Sequence, residues 1–285
     1  MVVTPYFAII TATRNAATNL SRLLESLAMQ TCRDFELIIQ DGASTDDTVA
    51  VAEAWRERLP ALSIVSETDA GIYDAWNKAL SRIRGEWALF LGADDELADA
   101  DVLAQAKERM RAYPPQVLFA AGDMTMCRSD GSVMQEYRTQ AEKGVAYLPQ
   151  GSPLPYPALF QRGSLFVSHV FDTRFRIAGD YDFLCRTWKR ENQAERLGFC
   201  VTRMIWGGIS THPRTVFAMR WEDTRVTARY FPWPWTLRRI RGLVQGAVIG
   251  VLCAILGSRG AGLVLDRLRV MRGLPPCWGS DVRPE

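Results

Sequence analysis

Two adjacent aspartates, Asp94 and Asp95, have the residue type and the position for binding a cation. They stand in the string GADDE, directly after the apolar run EWALFL. Neighbouring carboxylates repel each other unless a cation or hydrogen-bond donors offset their charge. Mg²⁺ and Mn²⁺ are bound by one or two carboxylates together with phosphate oxygens. The pair therefore predicts a divalent-cation site for a diphosphate-bearing ligand, with a polar turn that caps the next helix as the alternative.

Two further aspartates end other apolar stretches, and each allows two interpretations. Asp41 in QDGASTDDT could accept a hydrogen bond from a nucleobase N–H, or form an ordinary Asp-Gly turn. Asp69 in SETDAGIYDAWNKAL could contact a ligand, or cap the helix that follows. The chain has only two histidines, so any metal site must rely on carboxylates.

The hydrophobic pattern predicts elements that would bring these acids together. Apolar runs typical of buried strands cover Phe7–Ala12, Phe35–Gln40, Leu62–Ser66 and Glu86–Leu91. Apolar residues at helical spacing separate these runs, and Ser44 with Asp47 resembles a helix capping box. This alternation predicts an α/β fold with a doubly wound sheet, in which ligands bind outside the carboxyl ends of the strands. We therefore expect the polar residues that follow each run to share one edge of the sheet.

Charge is distributed unevenly along the chain. Residues 1–202 contain 21 Lys and Arg against 27 Asp and Glu, whereas residues 203–285 contain 13 against five. A basic C-terminal part suits anionic lipid head groups or phosphate-bearing partners. Nucleic acid is not expected as a partner, because no recognisable nucleic-acid-binding module accompanies the charge. The six cysteines form no CxxC pair and are typical of reduced thiols in a cytoplasmic protein.

The C-terminal part also has the composition of a membrane-surface helix. Aromatic residues at 231–235 precede Arg238, Arg239 and Arg241, and an apolar stretch, Leu243–Leu256, follows. A helix needs about 20 apolar residues to span a bilayer, so this stretch predicts an interfacial or re-entrant helix at the inner face of the membrane. A second cationic helix is expected at Asp266–Arg272. The alternative is a helix that packs on the rest of the chain or on a second subunit in a homodimer.

The order of five motifs resembles family 2 glycosyltransferases of the GT-A fold, of the bacterial polysaccharide-biosynthesis type. The motifs are TATRN, DGASTDDT, SETDAGIYDAWNKAL, GEWALFLGADD and AGDYDFLCR. The resemblance implies a Rossmann-like, doubly wound mixed sheet over residues 1–215, with a nucleotide-binding half at 1–122 and an acceptor half at 123–215. Residues 216–285 would form a basic, aromatic, helical extension.

The resemblance also implies the reaction and the residues of the donor site. The reaction would be an inverting, Mn²⁺- or Mg²⁺-dependent transfer of a sugar from a UDP- or GDP-type donor to a lipid-linked or cell-surface glycan. Arg220-Trp221 follows Phe217, so the QxxRW motif of processive members is absent and we expect one sugar per encounter. The implied donor-site residues are Thr11, Arg14 and Asn15 around the nucleotide, Asp41 and Asp69 at the base, Asn77 near the ribose or phosphates, Asp94 at the ribose or metal, and Asp95 at the metal.

Inverting transfer needs one carboxylate to take the proton of the acceptor hydroxyl. The family's Glu-Asp pattern maps its Asp onto Asp180, with Gly179 in place of Glu, and Asp182 is the second choice. Asp180 could instead cap the helix that follows, and Arg186 could pair with Asp182 or bind phosphate. The resemblance places Tyr156, where relatives often have His, and Gly207 and Gly208 of the string GGIST on the acceptor side, and we expect Arg186 on the same side.

Other functions fit the sequence less well. A sugar nucleotidyltransferase would need a glycine-rich, lysine-containing loop after the first strand, and TATRN contains no glycine. A dinucleotide oxidoreductase would need GxGxxG at the same place. A non-catalytic, membrane-associated protein that kept the GT-A fold is the remaining alternative, because fold alone does not imply activity.

Overall fold

Four parallel strands form the first part of a mixed sheet. The computed structural model describes residues 4–208, 212–271, 273 and 276–278. The strands are β1 (Phe7–Thr13), β2 (Phe35–Asp41), β3 (Leu62–Ser66) and β4 (Trp87–Gly92), arranged in the order β3-β2-β1-β4. The central strands β1 and β2 are almost entirely buried, as expected for apolar runs covered on both faces. Each of these four strands lies within one residue of its predicted bounds.

Five further strands extend the sheet beyond β4. They are β5 (Glu96–Leu97), β6 (Phe119–Cys127), β7 (Val133–Tyr137), β8 (Leu159–Arg162) and β9 (Ala194–Ile205). The order continues β4-β8-β6-β9-β5, and β7 pairs with β6. Strand β8 is antiparallel to both of its neighbours, and β5 is antiparallel to β9. The sheet is therefore mixed, which confirms the predicted fold class.

Helices connect the strands, and two helices follow the last strand. They are α1 (Leu20–Ala28), α2 (Thr48–Glu53), α3 (Ile72–Leu80), α4 (Val102–Met110), α5 (Gly179–Thr187), α6 (Val216–Tyr230) and α7 (Leu237–Met271). The predicted capping box of α2 is wrong, because the Asp46 carboxylate accepts from Thr48 N at 3.0 Å, while Asp47 makes no side-chain cap. Helix α7 consists of two helical segments joined at Gly257, whose φ of 69° and ψ of 169° are not helical. These segments correspond to the two predicted C-terminal helices, except that Arg272 lies outside the described residues.

The chain divides into two compact units. The first comprises residues 1–125 and 135–204, and the second comprises residues 126–134 and 205–285. The C-terminal segment of the second unit starts at Ile205, and the predicted start of the C-terminal extension at residue 216 stays a prediction. Inside the second unit, Val216 of α6 packs with Ile249, Cys253 and Ala261 of α7.

Strand register brings four strand ends to the same level in the first unit. Ala12 of β1 pairs with Gly92 of β4, and Thr13 pairs with Asp41 of β2. Asp41 in turn pairs with Ser66 of β3. The loops that follow β1, β2, β3 and β4 therefore start side by side, as the doubly wound pattern predicts.

Candidate active site

Asp41 joins the ends of three strands. Its Oδ1 accepts hydrogen bonds from Thr13 Oγ1 at 2.8 Å and from Ser44 Oγ, and its Oδ2 accepts from Ser44 N at 2.8 Å and Ser66 Oγ at 2.6 Å. The residue is fully buried. Two bonds to each oxygen fill the acceptor capacity of a carboxylate. Asp41 is therefore a structural hub beneath the site.

The electrostatics of Asp41 follow from these bonds. Burial alone would raise the pKa of the Asp41 carboxyl, but the bonds from Ser44, Ser66 and Thr13 together outweigh burial and lower that pKa. The predicted contact between Asp41 and a nucleobase does not fit this arrangement. A base N–H could reach Asp41 only by displacing one of these donors.

The loop after β1 is anchored to the loop after β2. Asn15 Oδ1 accepts from Thr45 N at 2.9 Å, and Asn15 N donates to Ser44 Oγ at 2.8 Å. Asn15 and Ala43 both have positive φ, 49° and 55°. Non-glycine residues hold this conformation only where their surroundings enforce it, often at ligand-binding loops. Arg14 lies exposed between these anchors and forms no ion pair within the part of the chain that the structure describes.

Thr13, and not the predicted Thr11, reaches the edge of the sheet. Both side chains lie on the same face of β1 because side chains alternate along a strand. Thr11 is fully buried, and its hydroxyl has no hydrogen-bond partner among the described residues. Thr13 lies two positions closer to the strand end and bonds to Asp41. The string TATRN could have predicted this role for Thr13, since its second threonine is the one nearer the loop.

Asp69 lies beside the loop after β2. Its Oδ1 accepts from Gly71 N at 2.9 Å, which closes a turn before α3. A methyl group on Gly42 would lie 2.4 Å from Asp69 Oδ2. A side chain at position 42 would displace the Asp69 carboxylate, so the carboxylate that follows β3 lies directly against the loop that follows β2.

The acidic turn after β4 surrounds a glycine with two carboxylates. A methyl group on Gly92 would lie 3.0 Å from Asp94 Oδ1 and 3.1 Å from Asp95 Oδ2. Asp95 Oδ2 also accepts from Gly92 N at 2.7 Å, and Asp95 is almost completely buried. The described residues contain no group of three or more His, Cys, Asp or Glu side chains placed to hold a metal ion. Two carboxylate donors fit a cation that takes its remaining ligands from phosphates and water.

Asn77 does not point to the donor as predicted. Its side-chain amide donates to Phe171 O at 2.9 Å and accepts from Phe171 N at 2.8 Å. Both functional groups of the amide are therefore bonded to one backbone residue of the segment before α5. Asn77 fixes that segment on α3 and has a positioning role that its sequence neighbours did not reveal.

Asp180 lies in the first turn of α5, one residue inside the helix. The cap position belongs to Ala178, so the alternative that Asp180 caps the helix is wrong. Asp180 Oδ1 accepts from Tyr181 N at 2.8 Å and lies 3.2 Å from Tyr73 Oη of α3. The residue is partly exposed. A carboxylate at a helix N-terminus is stabilised by the helix dipole, which favours its charged form.

Asp182 has a different environment two residues later. It is fully buried, and its Oδ2 accepts from Arg186 Nε at 2.9 Å. Arg186 also donates to Val170 O at 2.5 Å. The guanidinium is therefore held by groups of its own helix and of the segment before it. The pairing with Asp182 was one of the two interpretations that the sequence allowed, the other being phosphate binding. This geometry does not support the predicted role of Arg186 on the acceptor side.

Tyr156 belongs to an aromatic cluster, which does not support its predicted place on the acceptor side. Its ring stacks on Trp76 with centroids 5.8 Å apart, and Trp76 packs on Phe90 at 4.8 Å. Burial raises the pKa of Tyr156 well above its usual range, and the charge of Asp180 adds to this. The phenol therefore stays neutral, and the ring supports the site from beneath.

The glycine-rich string lies in the second unit. Gly207 is buried and has φ of 100°, and Gly208 follows it. Residues 209–211 of the same string lie outside the described residues. The predicted contribution of Gly207 and Gly208 to acceptor binding stays a prediction.

Sequence comparison identifies relatives over most of the chain. The family model described as glycosyl transferase family 2 matches residues 8–157. A PGL/p-HBAD biosynthesis glycosyltransferase of Mycobacterium tuberculosis is 35% identical over 213 residues, which cover 72% of this chain and 79% of the relative. An uncharacterized glycosyltransferase of the same species is 30% identical over 193 residues, 65% of this chain and 70% of its own.

Solved structures share the fold. The mannosyltransferase PcManGT of Pyrobaculum calidifontis, in complex with GDP-Man and Mn²⁺, superposes with a TM-score of 0.63 at 20% identity, over 96% of this chain and 82% of that one. Residues 1–349 of S. aureus TarS, in complex with UDP, give 0.60 at 19% identity, over 91% and 74%. Against the longer TarS chain, the match spans only 42% of that protein. At these identities the likeness establishes the fold alone.

The fold, the motifs and the relatives agree. The mixed sheet matches that of GT-A glycosyltransferases. The family model covers four of the five motifs, and the fifth contributes Asp180. The chain belongs to glycosyl transferase family 2 and is a glycosyltransferase.

Proposed function

We propose that this glycosyltransferase moves a single sugar, with inversion, from a UDP- or GDP-type donor to a lipid-linked or cell-surface glycan. The observation that carries the proposal is the contrast between two carboxylates on α5. Asp180 is partly exposed at the helix N-terminus, whereas Asp182 is buried and paired with Arg186. Only Asp180 combines access to solvent with a fixed position, which a general base requires.

Asp180 would accept the proton of the acceptor hydroxyl as that oxygen attacks the anomeric carbon. The bond from the anomeric carbon to the diphosphate breaks on the opposite face, so the configuration inverts. The hydrogen bond from Tyr181 N holds Asp180 Oδ1 in place, and the N-terminus of α5 stabilises the carboxylate before it takes the proton.

Asp94 and Asp95 would hold Mn²⁺ or Mg²⁺ at the end of β4. Bound there, the cation would stabilise the negative charge on the departing diphosphate. Both carboxylates lie close to Gly92, with Asp94 Oδ1 3.0 Å and Asp95 Oδ2 3.1 Å from the position that a methyl group on this residue would take. Support for a metal and a nucleotide comes from the P. calidifontis mannosyltransferase, whose structure contains GDP-Man and Mn²⁺. The exposed Arg14 and the anchored Asn15 lie on the adjoining loop and would contact the nucleotide or its phosphates.

The decisive experiment measures donor binding and turnover separately. Purified protein with Mn²⁺ is screened against UDP-, GDP- and dTDP-sugars for binding and for slow donor hydrolysis. The variant Asp180→Asn should keep the donor Kd within about twofold and lose at least about 100-fold in turnover, which is the usual scale of general-base catalysis. Asp130→Asn, in the exposed β6–β7 turn, is the control. A near-wild-type rate for Asp180→Asn would refute the assignment of the base.

The second unit supports association with an anionic membrane surface. Helix α7 is the one helix among the described residues that is long and apolar enough to cross a membrane. One face carries exposed aliphatic residues at helical spacing: Leu237, Ile240, Val244, Val248, Val251 and Ile255. Exposed Trp233 and Trp235 precede this face, and Arg238 and Arg241 lie on its first turns. Aromatic and cationic residues beside an apolar stripe suit the boundary between head groups and acyl chains.

The opposite face of α7 favours an in-plane position over a membrane span. Ile249 and Cys253 pack with Val216 of α6, and a methyl group on Gly246 would lie 2.9 Å from Phe217 Cα. A helix that packs on its own unit along one side cannot be surrounded by lipid. We therefore infer a monotopic arrangement at the cytoplasmic face, which flotation with vesicles tests. Wild-type protein should float with vesicles that contain anionic lipid, and its failure to float would refute the arrangement.

A further inference from the structure

We propose that the phenol of Tyr73 is a positioning residue that holds the Asp180 carboxylate in its working orientation. The inference rests on the proposed role of Asp180 as base. Tyr73 belongs to the string GIYDAWNK on α3, on the donor side, whereas Asp180 lies 107 residues later on α5. The hydroxyl of Tyr73 in the third motif therefore contacts the proposed base, Asp180, in the fifth motif.

Hydrogen bonds define this contact. Tyr73 Oη lies 2.6 Å from Ile177 O and 3.2 Å from Asp180 Oδ1, so its single proton is shared between two acceptors on the segment that leads into α5. Tyr181 N donates to the same Oδ1 at 2.8 Å. Together these donors fix the carboxylate rotamer, and the bond to Ile177 O fixes the backbone just before it.

Gly179 is what allows the phenol ring to reach this position. A methyl group on Gly179 would lie 2.7 Å from Cδ2, 2.7 Å from Cε2 and 2.9 Å from Cζ of Tyr73. Any side chain there would collide with the ring, which explains why glycine stands beside Asp180 in this chain. The ring is also held on other sides, by Trp76 at 5.4 Å and by Phe171 at 5.8 Å between centroids.

The environment of the phenol keeps it a donor. Burial raises the pKa of Tyr73 well above its usual range, and the negative charge of Asp180 raises it further. The hydroxyl thus keeps its proton throughout the pH range in which Asp180 changes its protonation state. The hydrogen bond that Tyr73 donates to Asp180 is stronger when the Asp180 carboxylate is ionised than when it is protonated. It therefore stabilises the form of the carboxylate that accepts a proton.

Tyr73→Phe removes this bond and keeps the ring. We expect kcat to fall about tenfold, the scale of one hydrogen bond to a charged group. The acidic limb of the kcat profile should move to higher pH, because Asp180 loses a donor that favours its charged form. The donor KM should stay close to wild type, and the Tm should fall only by the small amount expected for the lost bond to Ile177 O. A merely structural role of the hydroxyl would lower the Tm without moving the pH profile.

Tyr156→Phe is the matched control. Tyr156 is also buried and lies within the electrostatic influence of Asp180, but its hydroxyl lies 3.4 Å from Gln161 Oε1 and makes no bond to the carboxylate. This variant should keep the wild-type pH profile. Tyr73→Phe with unchanged kcat and pH profile would overturn the inference, and so would an equal shift in Tyr156→Phe. If Asp180→Asn keeps its turnover, the base assignment itself fails; if Asp180→Asn is inactive while Tyr73→Phe is normal, only the positioning role fails.

Discussion

Arg186 pairs with Asp182 one turn earlier on α5, with 2.9 Å between Nε and Oδ2. Because its carboxylate is buried and paired, Asp182 is a stabilising residue, and Asp180 is left as the proposed base. Asp182 is fully buried, while the Arg186 side chain keeps access to solvent. Loss of one partner of a buried pair is costly because the other charge is left uncompensated.

Asp182→Ala should therefore lower the free energy of unfolding by about 3 kcal/mol, the lower end of the range for a broken buried pair, since Arg186 can turn to water. Urea unfolding at pH 7 measures this change. Glu108→Ala is the control, because both side chains of its pair with Arg111 are exposed and the pair should contribute at most about 1 kcal/mol. Equal losses in the two variants would contradict the assigned role of Asp182.

The lowered pKa of Asp41 should make the first unit less stable at low pH. Hydrogen bonds hold the pKa of its carboxyl below the ordinary value of about 3.9 for aspartate, despite the opposing effect of burial. As the pH falls below about 4, the unfolded chain takes up this proton before the folded chain does. The stability contributed by Asp41 is therefore complete above that pH and is lost as the pH falls through the lowered folded pKa.

Asp41→Asn tests this linkage. The variant should be less stable than wild type at pH 7, because the amide cannot accept all the bonds that Thr13, Ser44 and Ser66 donate. The difference in unfolding free energy between the two proteins should shrink as the pH is lowered from 5 to 3. Urea unfolding across this range measures it. A difference that stays constant with pH would show that the Asp41 pKa is not lowered.

The proposed cation site rests on the carboxylates near Gly92. Asp95→Asn should reduce the Mn²⁺-dependent gain in affinity for UDP or GDP by at least about 10- to 100-fold, since even loss of an outer-shell partner costs that much at metal sites. Calorimetric titration of nucleotide with and without Mn²⁺ measures the gain. Glu96→Gln is the control, because Glu96 pairs with Arg203 at 2.9 Å and is not expected to bind the ion. Unchanged Mn²⁺ dependence in Asp95→Asn would count against the site.

The parallel part of the fold could be predicted because its signals are local. Each buried strand is one apolar run, and each helix between strands shows its own spacing of apolar residues, as in α1. The placement of acids at the strand ends followed from the general geometry of doubly wound sheets. These rules use only a few neighbouring residues, so a single sequence was sufficient.

The roles of individual side chains could not be predicted in the same way. Asn77 and Tyr156 were both predicted to lie next to ligands. Asn77 instead bonds to Phe171, 94 residues away, and Tyr156 stacks on Trp76. Such contacts depend on how helices pack on the sheet, and no local pattern contains that information. Asp41 illustrates the limit best, because an Asp-Gly string is compatible both with a ligand contact and with the hydrogen-bonded hub that the structure has.

The proposed membrane association rests on the exposed face of α7, and substitutions there test it without disturbing the packed face. Val244→Asp and Val248→Asp should each reduce binding to anionic vesicles at least about tenfold, because each removes about 1.5–3 kcal/mol of apolar burial. Val167→Asp is the matched control, since Val167 is 89% exposed in the first unit.

Arg238→Gln with Arg241→Gln should weaken binding by about 1 kcal/mol per charge, and this loss should vanish in high salt. Equal binding by all variants would show that another surface contacts the lipid, whereas a loss confined to α7 would identify the stripe as the contact.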